Sequence, residues 1–284
     1  MQEYVDLINS FVWSPVLVYL LLAAGLFFSV LTRFVQVRLF KEMIHLLFSS
    51  KESDRGISSF QALSVSLSGR VGTGNIAGVA AAIGFGGPGA VFWMWVVAFL
   101  GAATAYVESA LGQIYKEEDE GQFRGGPAYY IEKAMGQKWY AWIFAISTIF
   151  AVGLLLPTVQ SNAIGNAADL AFGGSGVLET SLGTVTYTKL VTAICVVFLL
   201  GFIIFGGVKR IAHFTQVVVP FMAIGYVLLA IVIILMHITE LPGILMLIVT
   251  DAFTPMAGIG AAIGWGVKRG VYSNEAGQGT GPHA

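Results

Sequence analysis

Residues 67–75 read Leu-Ser-Gly-Arg-Val-Gly-Thr-Gly-Asn, gathering glycines, hydroxyls, an amide and a guanidinium inside an otherwise apolar chain. A membrane helix interrupted at such a stretch frees backbone groups for chemistry. Amides that start the next half-helix carry a positive partial charge suited to a carboxylate, while freed carbonyls coordinate a hard cation. Gly72, Thr73, Gly74 and Asn75 are predicted to form the turn, and Thr73 and Asn75 add side-chain oxygens without adding charge. The pattern predicts a site for a zwitterion at Thr73, Gly74 and Asn75, with a cation held by Gly72, Thr73 and Asn75. Such backbone cannot face lipid, where each unsatisfied group costs several kcal/mol, so it must line a protein cavity.

Two other uses of glycine compete with this one. Close helix packing needs small residues every fourth position, which suits Gly78, Ala82, Gly86 and Gly101 but not the consecutive run Gly69 to Asn75. A phosphate loop would end in Gly-Lys-Ser/Thr after a strand, and Gly72-Thr73-Gly74 is followed next by Gly78, which breaks the dinucleotide fingerprint. Nucleotide binding is therefore not expected.

The elements that must position this stretch follow from composition. Hydrophobic residues make up 56% and charged residues 11%, whereas soluble domains carry about 25% charged residues. With a mean hydropathy of +0.79, the chain reads as an all-α polytopic membrane protein in a lipid bilayer. The net charge of -1 gives no reason to expect nucleic acid, and the single cysteine, Cys195, permits no internal disulfide. No removable signal peptide is expected at the acidic N-terminus. Spanning helices are predicted over about 12–32, 58–84 (interrupted), 90–115, 139–170, 187–205 and 211–237, with a second interrupted segment from Pro242 past Gly266.

Lys and Arg fall in alternate loops: Arg33 to Arg55, Lys116 to Lys138, and Lys209 with Arg210. By the positive-inside rule these loops are cytoplasmic and the N-terminus lies outside. The first broken element then runs inside to outside, and the second runs outside to inside, with Lys268 and Arg269 towards the cytoplasm. Oppositely directed broken helices mark the binding site of many secondary transporters. The second interruption is expected at Thr254 to Gly260, placing substrate contacts on Thr254 and Gly258. Residues 1–57 form a peripheral helix and loop, 58–240 a first five-helix repeat, and 241–284 the start of a second repeat.

Charged and polar groups at membrane depth complete the candidate list. Arg70 and Glu108 are placed close enough to form an ion pair, either structural or gating. Gln160, following Pro157, is expected to bond a substrate or the broken backbone, while Asn162 and Asn166 suit bonds between helices. Thr215, Gln216 and Pro220 read as structural. Glu117 to Glu120 read as a solvated run, and 125–133 as a short interfacial helix. The scattered histidines have no metal-ligand spacing, and no catalytic constellation is visible.

Four segments carry a resemblance: Ser68 to Ala80 (SGRVGTGNIAGVA), Gly86 to Ala90 (GGPGA), Gly125 to Ile131 (GGPAYYI) and Trp265 to Gly279 (WGVKRGVYSNEAGQG). Taken in order, the chain resembles the alanine or glycine:cation symporters, the sodium:alanine symporter family. That resemblance implies a leucine-transporter-type (APC) inverted-repeat fold, sodium as coupling ion, uptake of small neutral amino acids such as alanine or glycine, and a prokaryotic plasma membrane. It also implies that the second repeat is truncated at Ala284, so that the chain holds half of one sodium site and does not transport by itself. A channel or structural membrane subunit stays open as an alternative, and an intramembrane enzyme as a weaker one. No residue pattern specifies an oligomeric state.

Overall fold

The computed structural model describes residues 2–49, 56–119, 121–174, 176–180, 183–254 and 259–283. Lys51, Arg55, Glu120, Pro255 and the expected substrate contact Gly258 lie outside the described residues. The N-terminal part consists of α1 (Gln2–Val12), α2 (Pro15–Leu31), α3 (Val35–Arg38) and α4 (Phe40–Phe48). Pro15 starts α2 because a first-turn residue has no helical partner for its missing N–H. Next come α5 (Ser59–Arg70), α6 (Thr73–Gly86) and α7 (Gly89–Ile114). Ser58 and Gln61 cap α5 reciprocally, which fixes the entry to the predicted broken element.

A hairpin of β1 (Glu117–Asp119) and β2 (Gln122–Arg124) pairs Glu117 with Arg124 and leads into α8 (Pro127–Met135). The acidic run thus forms an exposed hairpin, with Asp119 bridged to Arg124 at 3.0 Å and Glu117 to Lys133 at 2.7 Å. The following span joins α9 (Lys138–Thr148) to α10 (Leu156–Phe172) through a π-helical stretch, Ile149–Leu155. Pro157 accounts for this widening: it has no N–H to give the preceding turn, and the backbone relaxes into a wider register before it. A second hairpin, β3 (Val177–Thr180) and β4 (Gly183–Thr186), precedes α11 (Tyr187–Ile204), and α12 (Gly207–Met236), α13 (Leu241–Asp251) and α14 (Ile259–Asn274) follow.

Five helical runs among the described residues are long and apolar enough to cross a membrane: Leu7–Leu31, Gly89–Ile114, Lys138–Phe172, Tyr187–Ile204 and Gly207–Met236. The chain is an all-α polytopic membrane protein. Large apolar side chains such as Phe198, Phe202 and Phe221 stand exposed on these helices, a surface that hydrocarbon covers at no cost.

The protein core lies elsewhere, between α2, α7 and α14, where Val18, Val97, Val267 and Val271 are buried together against Leu21, Leu22 and Ile263. We call the face carrying the α6–α7 turn the upper face and the face carrying α8 the lower face. α14 runs down from the upper face beside α7 and antiparallel to α6: Phe85 near the top of α6 stacks on Trp265 at 4.8 Å, and Tyr272 meets Gly74 at the bottom.

Candidate functional site around two helix interruptions

The first interruption occupies Val71 and Gly72. Val71 closes α5 by donating its amide to the Leu67 carbonyl at 3.0 Å, and Gly72 is extended, with φ −138° and ψ −169°. α6 therefore begins at Thr73, inside the predicted turn. Its first amides are orphaned by geometry, and a side chain from another span meets one of them. Gln160 Oε1 accepts from the Thr73 amide at 3.3 Å and from the Thr73 hydroxyl at 2.7 Å. Of the two bonds considered for Gln160, this is the one to the broken backbone.

The expected anion pole is narrower than the sequence suggests. The Asn75 amide is already spent on the Gly72 carbonyl at 3.0 Å, which Ile76 shares at 3.2 Å. Among the described residues the Gly74 amide has no hydrogen-bond partner. The Tyr272 ring lies directly over Gly74, so closely that a Cβ at this position would collide with it. Only glycine lets the ring and the backbone approach this far.

The chain breaks between α13 and α14 where expected, yet the interruption that shares a cavity with Gly72, called the second below, lies beyond α14. Asp251, at the end of α13, accepts from the Gly89 amide at 2.7 Å, and the Trp93 indole donates to the Ala252 carbonyl at 3.2 Å, so this segment belongs to the upper face. Thr254 donates to the Thr250 carbonyl at 2.9 Å and is exposed. It is separated from Gly72 by the length of α6, 14 residues or about 21 Å. Thr254 is thus not brought to the first interruption.

Gln160 faces Gly72 directly, and the chain beyond α14 lines the same cavity. Glu275, Gly277 and Gly279 adopt φ of +55°, +82° and +77°, and the helix ends because left-handed residues cannot continue it. Asn274 anchors this end midway along α7 by donating to the Val97 carbonyl at 3.2 Å.

Glu275 points into the interruption of the first helix. A Cβ built on Gly69 would lie 2.7 Å from Glu275 Oε1, while Oε2 accepts the Thr280 hydroxyl at 2.7 Å. The Glu275 carboxylate thus meets the last turn of α5 and lines the same cavity. The sequence signal for Glu275 was present, since an ionisable residue in an apolar stretch marks a functional site.

Arg70 and Glu108 do not form the expected ion pair: among the described residues Arg70 has no carboxylate within 4.0 Å, and its buried Nε has no partner. Backbone amides take the carboxylate instead. Glu108 Oε2 accepts from Gly277 at 3.0 Å and Oε1 from Gly279 at 3.2 Å. Lys268 and Arg269 lie in the lower half of α14. Lys268 reaches Asn9 at 3.4 Å and lies over the Trp13 and Trp265 rings.

Between the interruptions lies a cavity of roughly 570 Å³. Gly72, Gly74, Asn75 and Gln160 line one wall, and Tyr272, Glu275, Gln278 and Thr280 line the other. The π-helical stretch contributes Val152, and α10 contributes Leu156 and Pro157 beside Gln160. The arrangement offers an amide donor, hydroxyl and amide oxygens, and one carboxylate within a single cavity.

A broken helix pair around one central cavity is a transporter's architecture, and comparison with known proteins is specific about the class. The chain belongs to the sodium:alanine symporter family, whose pattern matches residues 1–284. This is a family of transporters, not enzymes. The chain is 57% identical over 287 residues to the Bacillus subtilis protein named "Putative sodium/proton-dependent alanine carrier protein YrbD", covering 100% of this chain and 57% of the relative. It is 46% identical over 245 residues to the "Sodium/proton-dependent alanine carrier protein" of Bacillus sp. PS3, covering 85% of this chain and 52% of the relative. It is also 43% identical over 290 residues to the B. subtilis "Probable sodium/glutamine symporter GlnT", covering 100% of this chain and 58% of the relative. The chain thus spans little more than half the length of these curated relatives.

Proposed function

We propose that this chain carries the central binding site of a sodium-coupled symporter for small neutral amino acids, alanine or glycine, that works by alternating access. The observation that carries this reading is the pair of helix interruptions, from antiparallel helices, facing each other across one cavity. A leucine-transporter-type inverted repeat accounts for that antiparallel pair, with residues 1–57 peripheral, 58–240 as the first repeat and 241–284 opening the second. The positive-inside pattern puts the upper face outside, together with the N-terminus, in a prokaryotic plasma membrane.

In this mechanism the substrate carboxylate approaches the free Gly74 amide and the Asn75 side chain, at the positive end of α6. Its ammonium faces the cation pole formed by Glu275 and the end of α5. Sodium takes oxygens from Gly72, Thr73 and Asn75; the Thr73 hydroxyl donates to Gln160 and keeps its lone pairs for the ion. Coupling requires that sodium bind one conformation more tightly than the other, since equal affinity shifts no equilibrium.

The test is uptake of labelled alanine into proteoliposomes containing a protein of the relatives' full length that carries these 284 residues, with and without a sodium gradient. Saturable, sodium-dependent uptake is expected, and Asn75→Leu should weaken it far more than it lowers protein yield. Conductance without saturation would favour the channel alternative and overturn the symporter reading.

A further inference from the structure

The Glu108 carboxylate lies in the lower half of α7, within a span where an unpaired charge is costly, yet no cation pairs with it within 4.0 Å among the described residues. Its two oxygens instead meet two amides of the second interruption, Gly277 and Gly279. Positive φ at Glu275, Gly277 and Gly279 alternates with negative φ at Ala276 and Gln278. Alternation of this kind turns successive N–H groups to one side and creates a concavity that binds anions. Glu108 fills that concavity from a different helix, 169 residues away in sequence from Gly277.

The same segment is a partition. On one side lies the cavity lined by Glu275, Gln278 and Thr280. On the other lies an apolar cavity of about 330 Å³ between α2 and α7, lined by Leu21, Leu100, Val107, Glu108 and Gly277. With its acceptor removed, the segment would have room to collapse towards the apolar side.

We propose that Glu108 is a positioning residue: a built-in anion that holds Gly277 to Gly279 in place and thereby sets the Glu275 wall of the binding cavity. An ionised carboxylate suits this role because two donors need two acceptors, and hydrogen bonds to a charged acceptor are the stronger kind. Glutamine at 108 would offer one acceptor and turn its NH2 group against the second amide. The effect of this clamp on uptake rests on the symporter reading; the clamp itself does not.

The experiment separates the two. In the full chain carrying Cys195→Ser, a single cysteine replaces Gln278, and its alkylation by a membrane-impermeant maleimide is timed without substrate. Adding Glu108→Gln should change the alkylation rate about tenfold, the loss of one charge-assisted hydrogen bond, whereas Glu108→Asp should largely preserve it. Gly277→Ala, which strains the left-handed backbone, should act on the same element. Combined with Glu108→Gln, it should add much less than its separate effect.

An unchanged rate in a folded Glu108→Gln protein overturns the proposal, and so do effects of the two substitutions that simply multiply. Should Glu108→Gln fail to fold, Glu108→Ala, which removes both acceptors, carries the same cycle with Gly277→Ala. Absence of sodium-dependent uptake by the protein of the relatives' full length would sink the symporter reading and leave the alkylation result standing.

Discussion

The two interruptions solve one problem in opposite ways. At Gly72 the chain leaves donors for others to satisfy: a neutral side chain, Gln160, covers Thr73, and the Gly74 amide stays free. At Glu275 to Gly279 the donors are consumed internally. Ala276 gives its amide to Asn274 at 2.9 Å, Gln278 gives its amide to the Glu275 carbonyl at 3.2 Å, and Glu108 takes those of Gly277 and Gly279. The first interruption is therefore available to a ligand carboxylate, while the second contributes side chains from a fixed backbone. Broken helices in one cavity need not play equal parts: what matters is which backbone groups remain unspent.

Substitutions can break this contrast, and the largest effect is expected at Gly74. Gly74→Ala drives a methyl group into the Tyr272 ring, and overpacking of this kind costs about 1–3 kcal/mol. Amino-acid binding, measured by calorimetry, should fall tenfold or more by that estimate, with partial recovery in Gly74→Ala/Tyr272→Ala. No recovery would detach the ring from the site.

Gln160→Leu comes next. It leaves the Thr73 amide and hydroxyl without their acceptor, at about 1–3 kcal/mol for an unsatisfied buried donor. Gln160→Glu keeps an acceptor oxygen and should retain more binding than Gln160→Leu. Equal losses would show that position 160 acts on the ligand and not on the helix start.

A smaller effect concerns α8. Burial, followed by the Glu108 charge, pushes the Tyr130 hydroxyl up to about 12 from its ordinary 10.0. The neutral form is favoured in the fold, so this contribution is fully present below pH 10 and is lost as the pH rises towards 12. Thermal unfolding between those limits should show the decline, and Tyr130→Phe should flatten it.

The first interruption was legible in the sequence because polar and permissive residues crowd into Gly69 to Asn75. Helix extents were legible too, from apolar runs of the required length. The break expected after Asp251 is present between α13 and α14, but the turn beyond α14 that lines the cavity with Gly72 was not singled out. The glycines that matter, Gly277 and Gly279, work through backbone handedness, which single residues signal weakly. Glu108 was recognised as a buried charge, but its partners are amides, and backbone donors have no residue identity to read. Gln160 and Thr73 are 87 residues apart, and only the fold brings them together.

The smallest expected effect belongs to Thr254→Val, which should leave amino-acid binding within about twofold, as surface substitutions away from a site usually do. That contrast sets up the most direct measurement of the central claim, that the chain beyond α14, and not Thr254, faces the first interruption. Single cysteines at Thr280 and at Thr254, each with Cys195→Ser, are alkylated with and without sodium and alanine. At ten times the dissociation constant, occupancy should slow the Thr280 reaction roughly tenfold, following the ratio of free to occupied sites, and leave Thr254 unaffected. Protection at Thr254 with none at Thr280 would contradict the account.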